Sequence, residues 1–140
     1  VASREAAIDV LTANLLAHAS IKTVLRVDRE TSISAQSVPA VLVVDDGAED
    51  IQYKTGGLAD VYQTVRLIGV VKDIANLSQS MNALDVVIKT VVAADPTLTG
   101  TVAHVTILPQ EEKRLNEDDS VAQFTRPVRI FYEASVSGGM

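Results

Sequence analysis

Two histidines, an acidic run, a glycine pair and scattered serines are the residues of this chain whose types could support chemistry. None stands in a pattern that chemistry requires. A histidine acts as a general acid or base when a second polar group orients its ring. His18 falls late in a helical stretch and His104 on the polar side of a strand, and no motif joins them. Both read as structural or surface residues. The run Asp45, Asp46, Gly47, Ala48, Glu49, Asp50 offers oxygen ligands for Mg²⁺ or Ca²⁺. It lacks the alternate-position ligands and terminal Glu of a calcium-binding loop, so a solvated turn is expected. Gly56 and Gly57 are not followed by the Gly-Lys-Ser/Thr of a phosphate-binding loop and read as a hairpin turn. No serine lies in Gly-x-Ser-x-Gly or Ser-x-x-Lys. With no cysteine in the chain, thiolate nucleophiles, disulfides and cysteine-ligated zinc are excluded. No catalytic residue, metal ligand or cofactor is therefore expected.

The bulk numbers bound the rest. A chain of 140 residues, 47% hydrophobic and 21% charged, is large enough for one core and too short for two ordinary domains. One domain over 1–140 is expected. A net charge of -6 argues against affinity that comes from neutralising nucleic-acid phosphates. The longest apolar stretches, Ala40 to Val44 and Ile68 to Val71, are strand-sized, so no membrane span is expected. The opening residues Val1 to Glu5 do not read as a signal peptide, and a reducing cytoplasm is compatible.

Any site must be positioned by the elements that periodicity predicts. Ile8, Leu11, Leu15 and Leu16 form one stripe over residues 4–19, with Ser3 as N-cap. Residues 23–29 alternate as a strand, 30–37 read as a loop, and Pro39 opens the buried-looking run 40–44. Between Gly47 and Ala59 the pattern predicts a long hairpin arm with a short strand at 50–54. Residues 61–72 form the longest strand candidate: Val65, Leu67 and Val71 face one way, while Ile68 and Val70 make its far end apolar on both faces. In the second helix, Leu77 to Ala94, the residues Leu77, Met81, Leu84, Ile88 and Val91 recur at helical spacing, and Asn76 with Gln79 suggests a capping-box variant. Pro96 ends that helix and Gly100 allows a tight turn into a strand at 101–108, with Ala103, Val105 and Ile107 toward the core. Residues 110–119 read as a charged loop. Residues 121–134 close the fold with Val128, Ile130 and Tyr132 on one face, and Pro127 suggests a bulge or an edge. The expected class is α+β: a largely antiparallel mixed sheet, two amphipathic helices packed on one face, and a long β-hairpin arm.

This order, with Pro39 before a buried strand, the 47–59 arm, the join Asp95-Pro96-Thr97-Leu98-Thr99-Gly100 and the closing Pro127-Val128-Arg129-Ile130-Phe131-Tyr132, resembles the tail terminator proteins of long-tailed bacteriophages. The resemblance implies a structural virion protein rather than an enzyme. It implies a homo-hexameric ring that caps the tail tube protein, ends tube growth and meets a head-tail connector or stopper protein. Duplex DNA would pass through the channel without specific binding. It carries no active-site residues. The candidate subunit-interface residues, taken from the arm, are Asp45, Asp46, Glu49, Asp50, Tyr53, Lys54, Gly56, Gly57 and Leu58. The candidate channel-lining or partner-facing residues are Glu111, Glu112, Lys113, Arg114, Glu117, Asp118 and Asp119. Six copies at -6 carry -36, and a negative wall repels phosphates instead of trapping them. The expected location is the tail-neck junction of a virion, reached from the host cytoplasm. Two alternatives stand beside this: another neck component, or a small ligand-binding or enzymatic domain in which His104 or Tyr132 points into a pocket.

Overall fold

A computed structural model of the chain describes residues 4–27, 39–45, 49–72, 76–100, 102–110, 112–116 and 121–135. Two long apolar strands organise it. β4 (Leu58–Lys72) and β7 (Val121–Ser135) pair antiparallel over all fifteen positions of each, from Leu58 opposite Ser135 to Lys72 opposite Val121. Each long edge of this ribbon is shared by two short strands, because neither partner is long enough to cover it. On the β4 side, β2 (Ala40–Val44) pairs residues 66–70 and β3 (Glu49–Tyr53) pairs residues 59–63. On the β7 side, β5 (His104–Ile107) pairs residues 128–131 and β6 (Glu112–Asn116) pairs residues 121–125. β1 (Thr23–Val27) adds to β2 in parallel, the single parallel pairing in the seven-stranded sheet that the described residues form.

Helices α1 (Arg4–Leu16) and α2 (Leu77–Ala94) pack on one face. Met81, Leu84, Ile88 and Val91 of α2 and Ile8, Leu11 and Leu15 of α1 join Val65, Leu67, Val71, Phe124, Val128 and Ile130 in one buried cluster. Each large aliphatic side chain buried there contributes about 1.5–3 kcal/mol before ordering entropy is subtracted. Gly69 sets the closeness of fit: a Cβ at that position would lie 2.5 Å from the Phe124 ring and 3.0 Å from Leu84. On the opposite face Ala40, Leu42, Val44, Ile68 and Val70 form a second buried cluster, so the far end of β4 is apolar on both sides as its sequence predicts.

Polar ties fix the helices. Arg26 of β1 reaches Glu5 of α1 through both terminal nitrogens at 2.7 Å, with Asp9 at 3.4 Å. These contacts, the Glu5 hydrogen bond first, raise the Arg26 pKa against the opposing effect of burial. Arg126 of β7 donates to both carboxylate oxygens of Asp85 on α2, at 2.9 and 2.7 Å, and to the Leu108 carbonyl. Asp95, at the end of α2, accepts from the Thr99 amide, the Thr99 hydroxyl and Asn14 of α1. That clasp holds Leu98 and Thr99 at φ 46° and 58°, conformations an L-residue adopts at a cost, and drives the Leu98 side chain fully into the core.

Five expectations are corrected. Leu16 is 57% exposed, because the helix ends there and its last turn rolls the residue off the buried stripe. Asn76 makes no side-chain capping bond at the start of α2, so the capping box is not formed. Ala103 is exposed and β5 begins one residue later. Residues 112–116 form β6 rather than a continuous loop, because β7 supplies a ladder that charged residues accept on an edge. Pro127 marks neither a bulge nor a sheet edge: the β4–β7 register runs through it unbroken. Its carbonyl accepts from Leu108, so its nitrogen faces the same side, in the gap between β6 and β5 where no ladder partner is left without a donor. Ser3 and residues 28–38 lie outside the described residues.

Candidate assembly surface

β3 and the start of β4, with the end of β7 beside them, form an arm whose root is packed, Ala59, Val61 and Tyr132 being buried and Ile51 lying against the core, and whose tip, residues 52–58, is exposed. Its hairpin turns at residues 54–57, where Gly56 and Gly57 take φ of 87° and 77°, the left-handed region in which glycine carries no steric penalty. The Lys54 amide donates to the Leu58 carbonyl and closes the turn. The Lys54 ammonium bridges Glu133 and Asp60, two acids on adjacent strands. The hydrogen bond to Glu133, followed by that to Asp60, raises its pKa. Beside this polar clamp the tip presents Tyr53, 68% exposed, and Leu58, 37% exposed.

Of the arm residues read from sequence, Glu49, Asp50, Tyr53, Lys54, Gly56, Gly57 and Leu58 come together in this hairpin. Asp45 stands at its base, where it accepts from Gln63 at 3.0 Å. Asp46 lies outside the described residues. The second predicted set is separated from the first. Glu112, Lys113 and Arg114 belong to β6, which faces residues 123–125 at the far end of β7. Glu111, Glu117, Asp118 and Asp119 lie outside the described residues. The two sets occupy opposite corners of the sheet.

What sequence reasoning missed lies between them, on the face away from the helices. His104, Phe131 and Tyr62 are direct cross-strand neighbours on β5, β7 and β4. The Tyr62 and Phe131 rings stack at 4.8 Å, and His104 tilts against Phe131 at 5.1 Å. Asp50 continues the row on β3, and Arg129 and Thr106 stand exposed in the next row. The signal was available in the alternation of residues 60–66 and 129–133, whose outward members are polar or aromatic. Only the register shows that they align. The helix-covered side hides another unforeseen polar group: Gln63 is fully buried, and its Oε1 meets no hydrogen-bond donor among the described residues.

The features expected of an enzyme pocket do not converge. His18 accepts the Ser20 amide at Nδ1 and finishes the last turn of α1. His104 is exposed on one face while Tyr132 is buried on the other. A groove of about 360 Å³ runs between α2 and the ends of β4 and β2, lined by Ser20, Pro39, Val71, Ser80, Leu84 and Val87 among others, and neither residue borders it. Among the described residues no three His, Asp or Glu side chains gather as a metal site, and no helix is long and apolar enough to cross a membrane.

The molecule is thus an α+β protein with an open sheet, helices packed on one face and a hairpin arm with an exposed tip. That fold is shared with a solved chain from the virion of a native gene transfer agent particle. The match has a TM-score of 0.52, covers 91% of this chain and 94% of that one, and has 12% sequence identity. No family profile matches the chain, and no curated protein matches it in sequence.

Proposed function

We propose that this chain is a structural virion protein of the tail-terminator kind. Copies form a ring on the last layer of a tail tube, cover the surface where another tube subunit would add, and present a new surface to the head connector. The observation that carries this reading is the fold likeness to a gene transfer agent virion chain over nine-tenths of both lengths. The likeness alone supports the coarser part, a virion component whose role is assembly rather than catalysis. The terminator role adds the resemblance of the Asp95 to Gly100 join and the closing strand, together with an arm rooted in the core whose tip carries exposed Tyr53 and Leu58. A charge of -6 per copy suits a ring that DNA traverses, since acids along a channel repel phosphates and leave the duplex free to slide.

The test is negative-stain electron microscopy of the purified protein with assembled tail tubes and, separately, with connector protein. The expected images show six-fold rings with an axial hole at one end of each tube, and tube elongation stops when the protein is added. Rings that bind connector but ignore tube ends would move the protein to another position in the neck. Compact monomers that bind neither would sink the assembly reading and turn attention to the groove under α2.

A further inference from the structure

Among the described residues two strand edges stand open at the arm end, on opposite sides of the β4–β7 ribbon. β3 flanks residues 59–63 of β4. β5 flanks residues 128–131 of β7, which face residues 62–65 of β4. The edges are therefore nearly level. Neighbours in the set β3, β4, β7, β5 all run antiparallel, so β3 and β5 point in opposite directions. A second copy related by rotation about an axis inclined to the strands brings its β3 beside β5 antiparallel; setting Ile51 opposite Ile107 staggers the copies by about four residues, roughly 13 Å, a step that strand tilt in a closed sheet takes up. Joining β3 to β6 instead shifts each copy by about nine residues, roughly 30 Å along the strand, a step that climbs away from a closed ring.

The backbone shows which groups face outward. Lys54 donates to Leu58 within the hairpin and Leu108 donates to Pro127. Since alternate residues of an antiparallel strand turn both backbone groups to the same neighbour, even-numbered residues of β3 and β5 bond inward and odd-numbered ones point out. On β5 the outward amide of Val105 is taken by the Pro96 carbonyl at 2.8 Å, a guard over half of that short edge. The amides of Ile107 on β5 and of Ile51 and Tyr53 on β3 have no such cover among the described residues. On the uncovered face a register with Ile51 opposite Ile107 sets Gln52 against Thr106, with Arg129 one strand further in, so polar side chains meet across the junction.

We infer that copies of this chain join head to tail by strand addition, the outer edge of β3 at Ile51 and Tyr53 pairing with the Ile107 end of β5 in a second copy. The inference rests on the ring reading above and names the contact that makes the ring. With helices on one face only, closure puts them outside and turns the Tyr62, Phe131, His104 row toward the axis.

Ile51→Pro and Ile107→Pro each delete one outward amide while leaving the inward ladder bonds in place. Sedimentation velocity of the full chain should find rings for wild type and monomers for each variant alone, with far-UV circular dichroism unchanged. An equimolar mixture of the two should stop at dimers, because such a pair keeps one intact β3 and one intact β5 that meet once. Amide hydrogen exchange gives a readout free of any substitution: Ile51 and Ile107 should exchange at least about tenfold more slowly in wild-type rings than in dilute monomer. Rings that persist in both variants, or equal exchange at both amides, would overturn the strand pairing and leave the ring reading standing. Wild-type protein that forms no ring even with tube ends present would overturn the ring reading, and the pairing with it.

Discussion

Asp85 and Arg126 lie 41 residues apart in no recognisable motif, yet their side chains form a bidentate pair with only 10% and 12% of each exposed. Burial alone would raise the Asp85 carboxyl. The hydrogen bonds and charge of Arg126, helped by Lys89, outweigh it and hold the pKa below its ordinary value. Removing one partner strands a charge in a dry site, so Asp85→Asn is expected to cost about 3 kcal/mol at neutral pH. A depressed carboxylate contributes stability that is whole above its unfolded pKa, near 3.9, and is lost as pH falls through the still lower folded value. The gap between wild type and variant in urea unfolding should therefore hold from pH 7 to about pH 5 and shrink below about pH 4; a gap constant to pH 2.5 would refute the linkage. Gly69→Ala is the second test at this scale. The added methyl meets a ring already buried on all sides, and overpacking of that kind costs about 1–3 kcal/mol, read as a lower urea midpoint with an unchanged slope. Neither site was legible in the sequence. A lone Asp on a helix and an Arg in a strand look like surface residues until the register of β7 turns Arg126 toward α2. Gly69 likewise reads as a weak point in a strand rather than as the space for Phe124.

Elements were more legible where one periodicity dominates. The α2 stripe is spaced so regularly that both helix bounds agree with the pattern, and Leu84→Asp, a charge placed in the centre of the buried cluster, should abolish cooperative unfolding. The join after α2 was half legible. Pro96 and Gly100 announce a stop and a turn, but the clasp that Asp95 makes with Thr99 and Asn14 depends on where α1 lies, which no local pattern encodes. The Thr99 amide bond, followed by that of Asn14, lowers the Asp95 pKa. Asp95→Ala should release Leu98 and Thr99 from their left-handed conformations at a cost of roughly 1–2 kcal/mol, with faster amide exchange confined to residues 97–102. Wild-type exchange in that segment would show that the turn is held by Leu98 packing alone. β6 was illegible for the opposite reason. Its charged residues carry no apolar alternation, and it is a strand only because β7 offers an unfilled ladder.

For the whole molecule, the sequence distinguishes the arm from the core but not its neighbours in an assembly. The acidic hairpin, the glycine turn and the exposed tyrosine are all visible as residues; their union at the end opposite β6 is a consequence of the registers in which β3 and β6 pair the two fifteen-residue strands. That geometry makes Tyr53 a discriminating probe. Deleting residues 53–58 would also remove the Lys54 bridge to Asp60 and Glu133, so a lost ring would not separate contact from local collapse. Tyr53→Ser leaves the turn and the bridge intact and truncates a side chain that is 68% exposed in the single chain. A surface substitution of this kind changes fold stability by no more than about 0.5 kcal/mol. An aromatic anchor lost from a subunit junction costs about 2 kcal/mol or more, roughly thirtyfold in affinity at every contact. Ring formation should therefore move to much higher protein concentration in sedimentation while the thermal midpoint stays within a degree or two. An unchanged ring threshold would remove the hairpin tip from the interface and direct attention to the opposite corner, where β6 meets β7.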